Sequence, residues 1–195
     1  MELKFLSRED YRKKTEKDFI NKLRAQFGDF YLIPEGGANE LGVKGCEEIM
    51  LESPLQVNYV ACAAGTATTA TGILKALNDE QLIVVPALKG AAFLKDHIRA
   101  YVNEHQMDKL TMLNDFHFGG YAKINASLID FANQFYREYA IPLDLVYTAK
   151  LFYGIFHAIE QDYFERSSKL LIVHSGGLQG NRGLEQRHQF RLDYC

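Results

Sequence analysis

Tryptophan is absent, and cysteine is scarce at three residues in 195. Cys46, Cys62 and Cys195 are odd in number and widely spaced, which excludes a disulfide framework and a CxxC metal knuckle and suits a reducing compartment. The histidines, His97, His105, His117, His157, His174 and His188, show no HExxH-type spacing, so no metal site is expected. No apolar run approaches the length needed to cross a bilayer. The opening MELKFLSRED lacks the apolar core of a signal peptide, and a cytoplasmic protein is expected. An excess of charge is missing too. The net charge of -3 gives no field that would favour nucleic acid or an anionic membrane, and basic-aromatic interleaving of the RRM kind is not found. The basic cluster from Arg8 to Lys17 is interrupted by Glu9, Asp10 and Glu16 and reads as a solvated helix face. Ser175, before Gly176-Gly177, lacks a GxSxG elbow.

What is present is an alternation of strands and helices. A helix is expected over Arg8–Phe27, with Phe19, Leu23 and Phe27 on one face. A short strand over Phe30–Ile33 follows, then a helix from about Val43 to Leu51 that stops before Ser53-Pro54. Val57–Ala61 reads as a strand, followed by a helix running to about Leu77. Leu82–Val85 is a second strand, Ala91–Glu104 a helix, and Lys109–Leu113 another strand. Helices over Asn125–Tyr139 and Leu145–Phe164 lead to a last strand, Leu170–His174. Short continuous apolar runs such as Leu82–Val85 suit strands buried on both faces. The fold class expected is α/β: an open, mostly parallel sheet with helices on both faces, in one compact unit.

Three segments carry candidate chemistry. Between Val57 and Leu74 a buried strand runs into a loop of small and hydroxyl residues that opens a helix. Small residues let main-chain N–H groups approach an anion, and the helix N-terminus adds partial positive charge. Thr66, Thr68 and Thr69 add hydroxyls, and no lysine of the GxxxxGK[ST] kind is present. A phosphomonoester site and a tight turn with threonine caps are both open on these residues. Four glycines in Pro34–Gly45 mark a main chain that turns sharply or admits a ligand. Finally, Tyr121 and Tyr147 each lie beside small residues at the edge of an element, a position that also suits ordinary core tyrosines.

Five strings stand in order along the chain: IPEGGANELGVKG (Ile33–Gly45), CAAGTATTATGI (Cys62–Ile73), FGGYAK (Phe118–Lys123), LDLVYTAK (Leu143–Lys150) and LIVHSGGLQG (Leu171–Gly180). Together they resemble the 1-aminocyclopropane-1-carboxylate deaminase / D-cysteine desulfhydrase family of the tryptophan-synthase-β fold class. The resemblance implies pyridoxal 5'-phosphate as cofactor and a small amino acid as substrate. It implies that Gly65, Thr66, Ala67, Thr68 and Thr69 cradle the cofactor phosphate and that Thr148 faces the pyridine nitrogen. Tyr147 and Tyr121 would be the active-site tyrosines, and Gly36, Gly37 and Asn39 a loop near the cofactor and substrate. Lys150, one turn beyond Tyr147, receives no role from it. A homo-oligomeric parent is implied as well.

The sequence departs from that family in three respects. The family's cofactor lysine lies well upstream, in an Asn-Lys dipeptide, and nothing in Met1 to Gly28 is read as matching it. Family members also carry a further N-terminal stretch. The chain is therefore expected to be a C-terminal portion, residues 1–195 holding most of the large domain and the end of the small one, with cofactor binding weak or absent and no turnover alone. A non-catalytic phosphate- or cofactor-binding remnant, or a structural fragment, is the alternative. Lastly, ring-opening members place a glutamate where this chain has Thr148; a neutral hydroxyl there suits β-elimination of the D-cysteine desulfhydrase kind.

Overall fold

The computed structural model describes residues 3–51 and 56–195. The chain forms two compact units, one up to Ile33 and one from Pro34 to Cys195. In the first unit the single long helix expected over Arg8–Phe27 is instead two: α1 (Arg8–Arg12) and α2 (Lys17–Phe27). Ser7 caps α1, accepting from the Asp10 N–H at 3.0 Å. Between Tyr11 and Phe19 there is no apolar residue, so no buried stripe carries a helix through residues 13–16. The strand expected at Phe30–Ile33 is not formed. These residues pair with no strand, and Tyr31 and Ile33 are exposed.

The second unit begins with a 3-10 turn at Glu35–Gly37 and α3 (Glu40–Leu51), whose first turn is capped by Asn39 accepting from the Gly42 N–H at 2.8 Å. The expected stop at Ser53-Pro54 lies outside the described residues. There follow β1 (Tyr59–Ala64), α4 (Thr68–Ala76), β2 (Gln81–Pro86), α5 (Phe93–Arg99), α6 (Glu104–Met107), β3 (Leu110–Met112), α7 (Ala126–Tyr139), α8 (Thr148–Glu160), β4 (Leu170–Ile172) and α9 (Gln179–His188). The helix expected over Ala91–Glu104 is broken. Asn103 forms a capping box with Gln106 and starts α6 as a separate turn. The helix expected from Leu145 starts at Thr148, and α9 had no counterpart in the sequence reading.

All four strands are parallel, in the order β3-β2-β1-β4. The α/β fold class is as expected. Alternation along the two central strands divides the core. Val60, Cys62, Ala64, Leu82 and Val84 pack with Ile73, Leu74, Leu94 and Ile98 of α4 and α5. Ala61, Ile83 and Val85 face the other way, onto Leu128, Phe135, Leu151, Phe152 and Ile155 of α7 and α8. Both faces are therefore covered, which is why β1 and β2 read as continuous apolar runs. Burial between the layers raises the Cys62 thiol to about 12, so it is a packing residue and no nucleophile at neutral pH.

Helices α3 and α4 meet where Gly72 has no side chain. A Cβ there would lie 2.4 Å from the Cys46 Cβ and 2.5 Å from the Val43 carbonyl oxygen. Gly72→Ala therefore forces the two helices apart, costing about 1–3 kcal/mol, against a helix-propensity gain of about 1 kcal/mol. Urea unfolding should show a lower midpoint with an unchanged slope; a raised midpoint would contradict the packing described.

Candidate active site at the carboxyl end of β1

The chain leaves β1 through Gly65 and Thr66 and enters α4 through Ala67, whose φ of 66° is left-handed. This turn aims the first N–H groups of α4 at the space beyond the strand, and no side chain caps them. The Thr66 and Thr68 hydroxyls lie 3.0 Å apart at the same place. Thr71, one turn on, donates to the Ala67 carbonyl at 2.8 Å and steadies the turn from within. Of the five loop residues singled out by sequence, Ala67 buries its side chain in the core with Ile73 and Leu74, and Thr69 turns toward the Cys46 sulfur of α3 at 3.9 Å. Helix amides without a side-chain cap and two hydroxyls form a receptor for an anion the size of a phosphate.

The loop at Gly36–Asn39 closes one side. A Cβ on Gly36 would meet the Thr66 hydroxyl oxygen at 2.5 Å, so glycine is what lets this loop lie on the threonine. Gly37 packs its carbonyl against Gly42, and the Asn39 side chain is engaged in capping α3. Sequence placed these residues near the site; the structure brings Gly36 directly onto it and uses Gly37 and Asn39 to shape the turn.

Tyr147 closes the other side. Its hydroxyl would lie 3.1 Å from a Cβ on Gly65, and its ring meets Tyr121 edge-on with centroids 6.0 Å apart. Burial is the main reason the Tyr147 hydroxyl holds its proton above the ordinary tyrosine range; a hydrogen bond with Tyr121 and the negative charges of Asp144 and Glu35 act in the same direction. At neutral pH Tyr147 is thus a proton-bearing phenol, a donor.

Sequence reasoning passed over Asp144, which fixes Tyr147 in place. One carboxylate oxygen accepts the N–H groups of Val146 and Tyr147, each at 2.9 Å, and the other accepts Thr148 N–H at 2.9 Å. The carboxylate caps α8 and complements the positive end of the helix. An aspartate followed within four residues by a long apolar helix was the available signal. Thr148 is fully buried, its hydroxyl accepting from the Asp144 N–H at 2.8 Å. Behind the site Lys150 is fully buried as well. Its Nζ donates to the carbonyls of Gly120 at 2.8 Å, His117 at 2.9 Å and Ala87 at 3.4 Å. Among the described residues no group of three or more His, Cys, Asp or Glu is placed to hold a metal.

No protein-family model matches the chain. A curated protein of Pyrococcus horikoshii named "Putative 1-aminocyclopropane-1-carboxylate deaminase" is 25% identical over 181 residues, covering 86% of this chain and 55% of its own length. The crystal structure of an ACC deaminase homologue superposes with a TM-score of 0.74 at 20% identity, over 95% of this chain and 62% of that one. The chain is similar to these 1-aminocyclopropane-1-carboxylate deaminase-like proteins. Its fold is theirs, the tryptophan-synthase-β type that the five strings implied. The processed form of threonine deaminase isoform 2 from Solanum lycopersicum matches more distantly, with a TM-score of 0.50 at 14% identity over 87% of this chain and 56% of that one. The chain spans about half the length of the curated relative it matches. One point of the sequence reading needs correction. Asn21-Lys22 is an Asn-Lys dipeptide within Met1–Gly28, and the structure places it in the middle of α2 with both residues exposed.

Burial lowers the Lys150 ammonium from 10.5 to about 8, with Asp144 opposing the shift. Between pH 8 and 10.5 the unfolded chain keeps this proton while the folded chain releases it, so the group's contribution to stability rises with pH across that window. The stability difference between the native chain and Lys150→Met, from urea titrations at a series of pH values, should grow in favour of the native chain above pH 8. A difference that stays flat contradicts the assignment.

Proposed function

We propose that the chain forms the cofactor-phosphate and substrate-facing part of a pyridoxal-phosphate-dependent lyase or deaminase acting on a small amino acid. Within that class we place it in the D-cysteine desulfhydrase-like, β-eliminating branch. One observation carries the reading. The uncapped first turn of α4, beside the paired Thr66 and Thr68 hydroxyls, faces the glycine loop and Tyr147. A phosphomonoester fits this cradle, because the main-chain donors of Thr68 and Thr69, which no side chain caps, lie beside two hydroxyls.

Bound pyridoxal phosphate supplies an electron sink for charge developing at the α-carbon of an amino acid. The chain's own residues bind and orient. Gly65, Thr66, Ala67, Thr68 and Thr69 hold the phosphate, and Gly36 keeps Thr66 in place. Tyr147, kept protonated by its surroundings and paired with Tyr121, donates to the substrate carboxylate or to the departing group. Thr148 offers a neutral hydroxyl where ring-opening relatives carry a carboxylate, and that hydroxyl is already occupied by the Asp144 main chain. This supports elimination from a substrate with a good leaving group.

Equilibrium dialysis tests the phosphate cradle. Pyridoxal phosphate should bind at least about tenfold more tightly than pyridoxal, a difference of roughly 1.4 kcal/mol, and Thr66→Val with Thr68→Val should reduce the preference, the main-chain donors remaining. Equal affinities would overturn the reading. The chain by itself is further expected to release no pyruvate from D-cysteine with added cofactor, and borohydride should leave no pyridoxyl group on a lysine. Attachment at Lys22 would restore the full enzyme to this chain.

A further inference from the structure

Lys150 is the largest fully buried side chain among the described residues. Buried lysines are rare without a carboxylate partner, yet all three hydrogen bonds of this one end on main-chain carbonyls. The arrangement resembles the coordination of a small cation by peptide oxygens. Two of those oxygens, from His117 and Gly120, flank one tight turn, and the third, from Ala87, follows β2 directly. Phe118, Gly119, Gly120 and Ala122 all have positive φ, at 53°, 95°, 122° and 52°. For the two non-glycine residues that conformation is unfavourable and persists only under outside constraint. The turn's own bonds run from Gly120 N–H to the His117 carbonyl at 3.0 Å, from Lys123 N–H to the Gly120 carbonyl at 3.1 Å and from Gly119 N–H to the His117 ring Nδ1 at 2.9 Å; Lys150 grips His117 and Gly120 from the core side. Tyr121 is the next residue.

We propose that Lys150 is a positioning residue whose ammonium serves as a tethered monovalent cation, chelating the carbonyls of Ala87, His117 and Gly120 and thereby presenting Tyr121 to Tyr147. This rests on the proposed function only in treating Tyr121 as a site residue; the chelation itself needs no cofactor and is tested without one. An apolar side chain of the same size would take this donor from the Ala87 carbonyl and leave the His117 and Gly120 carbonyls with only the main-chain N–H groups of Gly120 and Lys123. A buried lysine that merely fills space would have no effect confined to this turn.

Lys150→Met keeps the volume and removes the charge. Amide hydrogen exchange at Gly120 and Lys123, whose N–H groups close the turn, should accelerate about tenfold or more, as loss of one charge-assisted hydrogen bond implies, while β1 and β2 amides keep their protection. The Tyr147 hydroxyl, read by its absorbance titration, should move back toward the ordinary tyrosine range. In Lys150→Ala, n-propylammonium replaces the missing atoms and should reverse both changes, whereas tetramethylammonium at equal ionic strength should not. Exchange within about twofold of the native chain in Lys150→Met, or rescue by both salts alike, overturns the proposal. If both variants fail to fold, the 15N-lysine spectrum of the native chain decides. One ammonium signal should be protected from solvent exchange and coupled to the His117 and Gly120 carbonyls; its absence contradicts the chelation.

Discussion

Strand β1 lies between β2 and β4 and is covered on both faces, so the chain that leaves it at Gly65 can turn only through main chain small enough to pass between its neighbours. Everything at the site depends on that exit. Gly65 admits the Tyr147 ring, Gly36 admits the Thr66 side chain, and Gly72 admits α3 against α4. Ala67, in a left-handed conformation, bends the chain sharply enough for the first amides of α4 to face outward past the strand. An anion site of this kind is a consequence of close packing around a turn, and its donors belong to the main chain more than to any side chain.

The opposite wall is built by charge. Asp144 gathers the N–H groups of Val146, Tyr147 and Thr148 at the entry to α8, and Thr148 returns a bond to the Asp144 main chain. Lys150, one turn into the same helix, reaches the turn before Tyr121. The two charges divide the work: the carboxylate sets where α8 starts, and so where Tyr147 stands, and the ammonium fixes the turn that leads into Tyr121. Each is buried and satisfied by peptide groups, so neither is free to act as an acid or base toward a ligand. The protonated Tyr147 is the group left to do so.

Much of this was legible in the residues. Continuous apolar runs gave β1 and β2, because a strand covered on both faces has no polar side to show. The hydroxyl-rich exit from β1 and the tyrosine pair could be found by composition and by their order along the chain. Other features needed three dimensions. The unformed strand at Phe30–Ile33 finds no partner among the described strands, which local propensity does not report, whereas the break at residues 13–16 was already marked by the lack of apolar residues between Tyr11 and Phe19. Helix α9 carries one large apolar residue, Leu184, and so shows no periodicity to read. Lys150 looked like any helix lysine, since what distinguishes it is three carbonyls that arrive from 30, 33 and 63 residues away.

The central claim is that the α4 N-terminus with Thr66 and Thr68 receives the phosphate of pyridoxal phosphate. Titrating the 15N-labelled chain with pyridoxal phosphate and following its amide spectrum tests this most directly. The account predicts the largest saturable shifts at Gly65, Thr66, Thr68 and Thr69, with smaller ones at Gly36 and Gly37 and none at the opposite end of the sheet around Gln56 and Glu80. Shifts centred anywhere else, or none at saturating ligand, would contradict it.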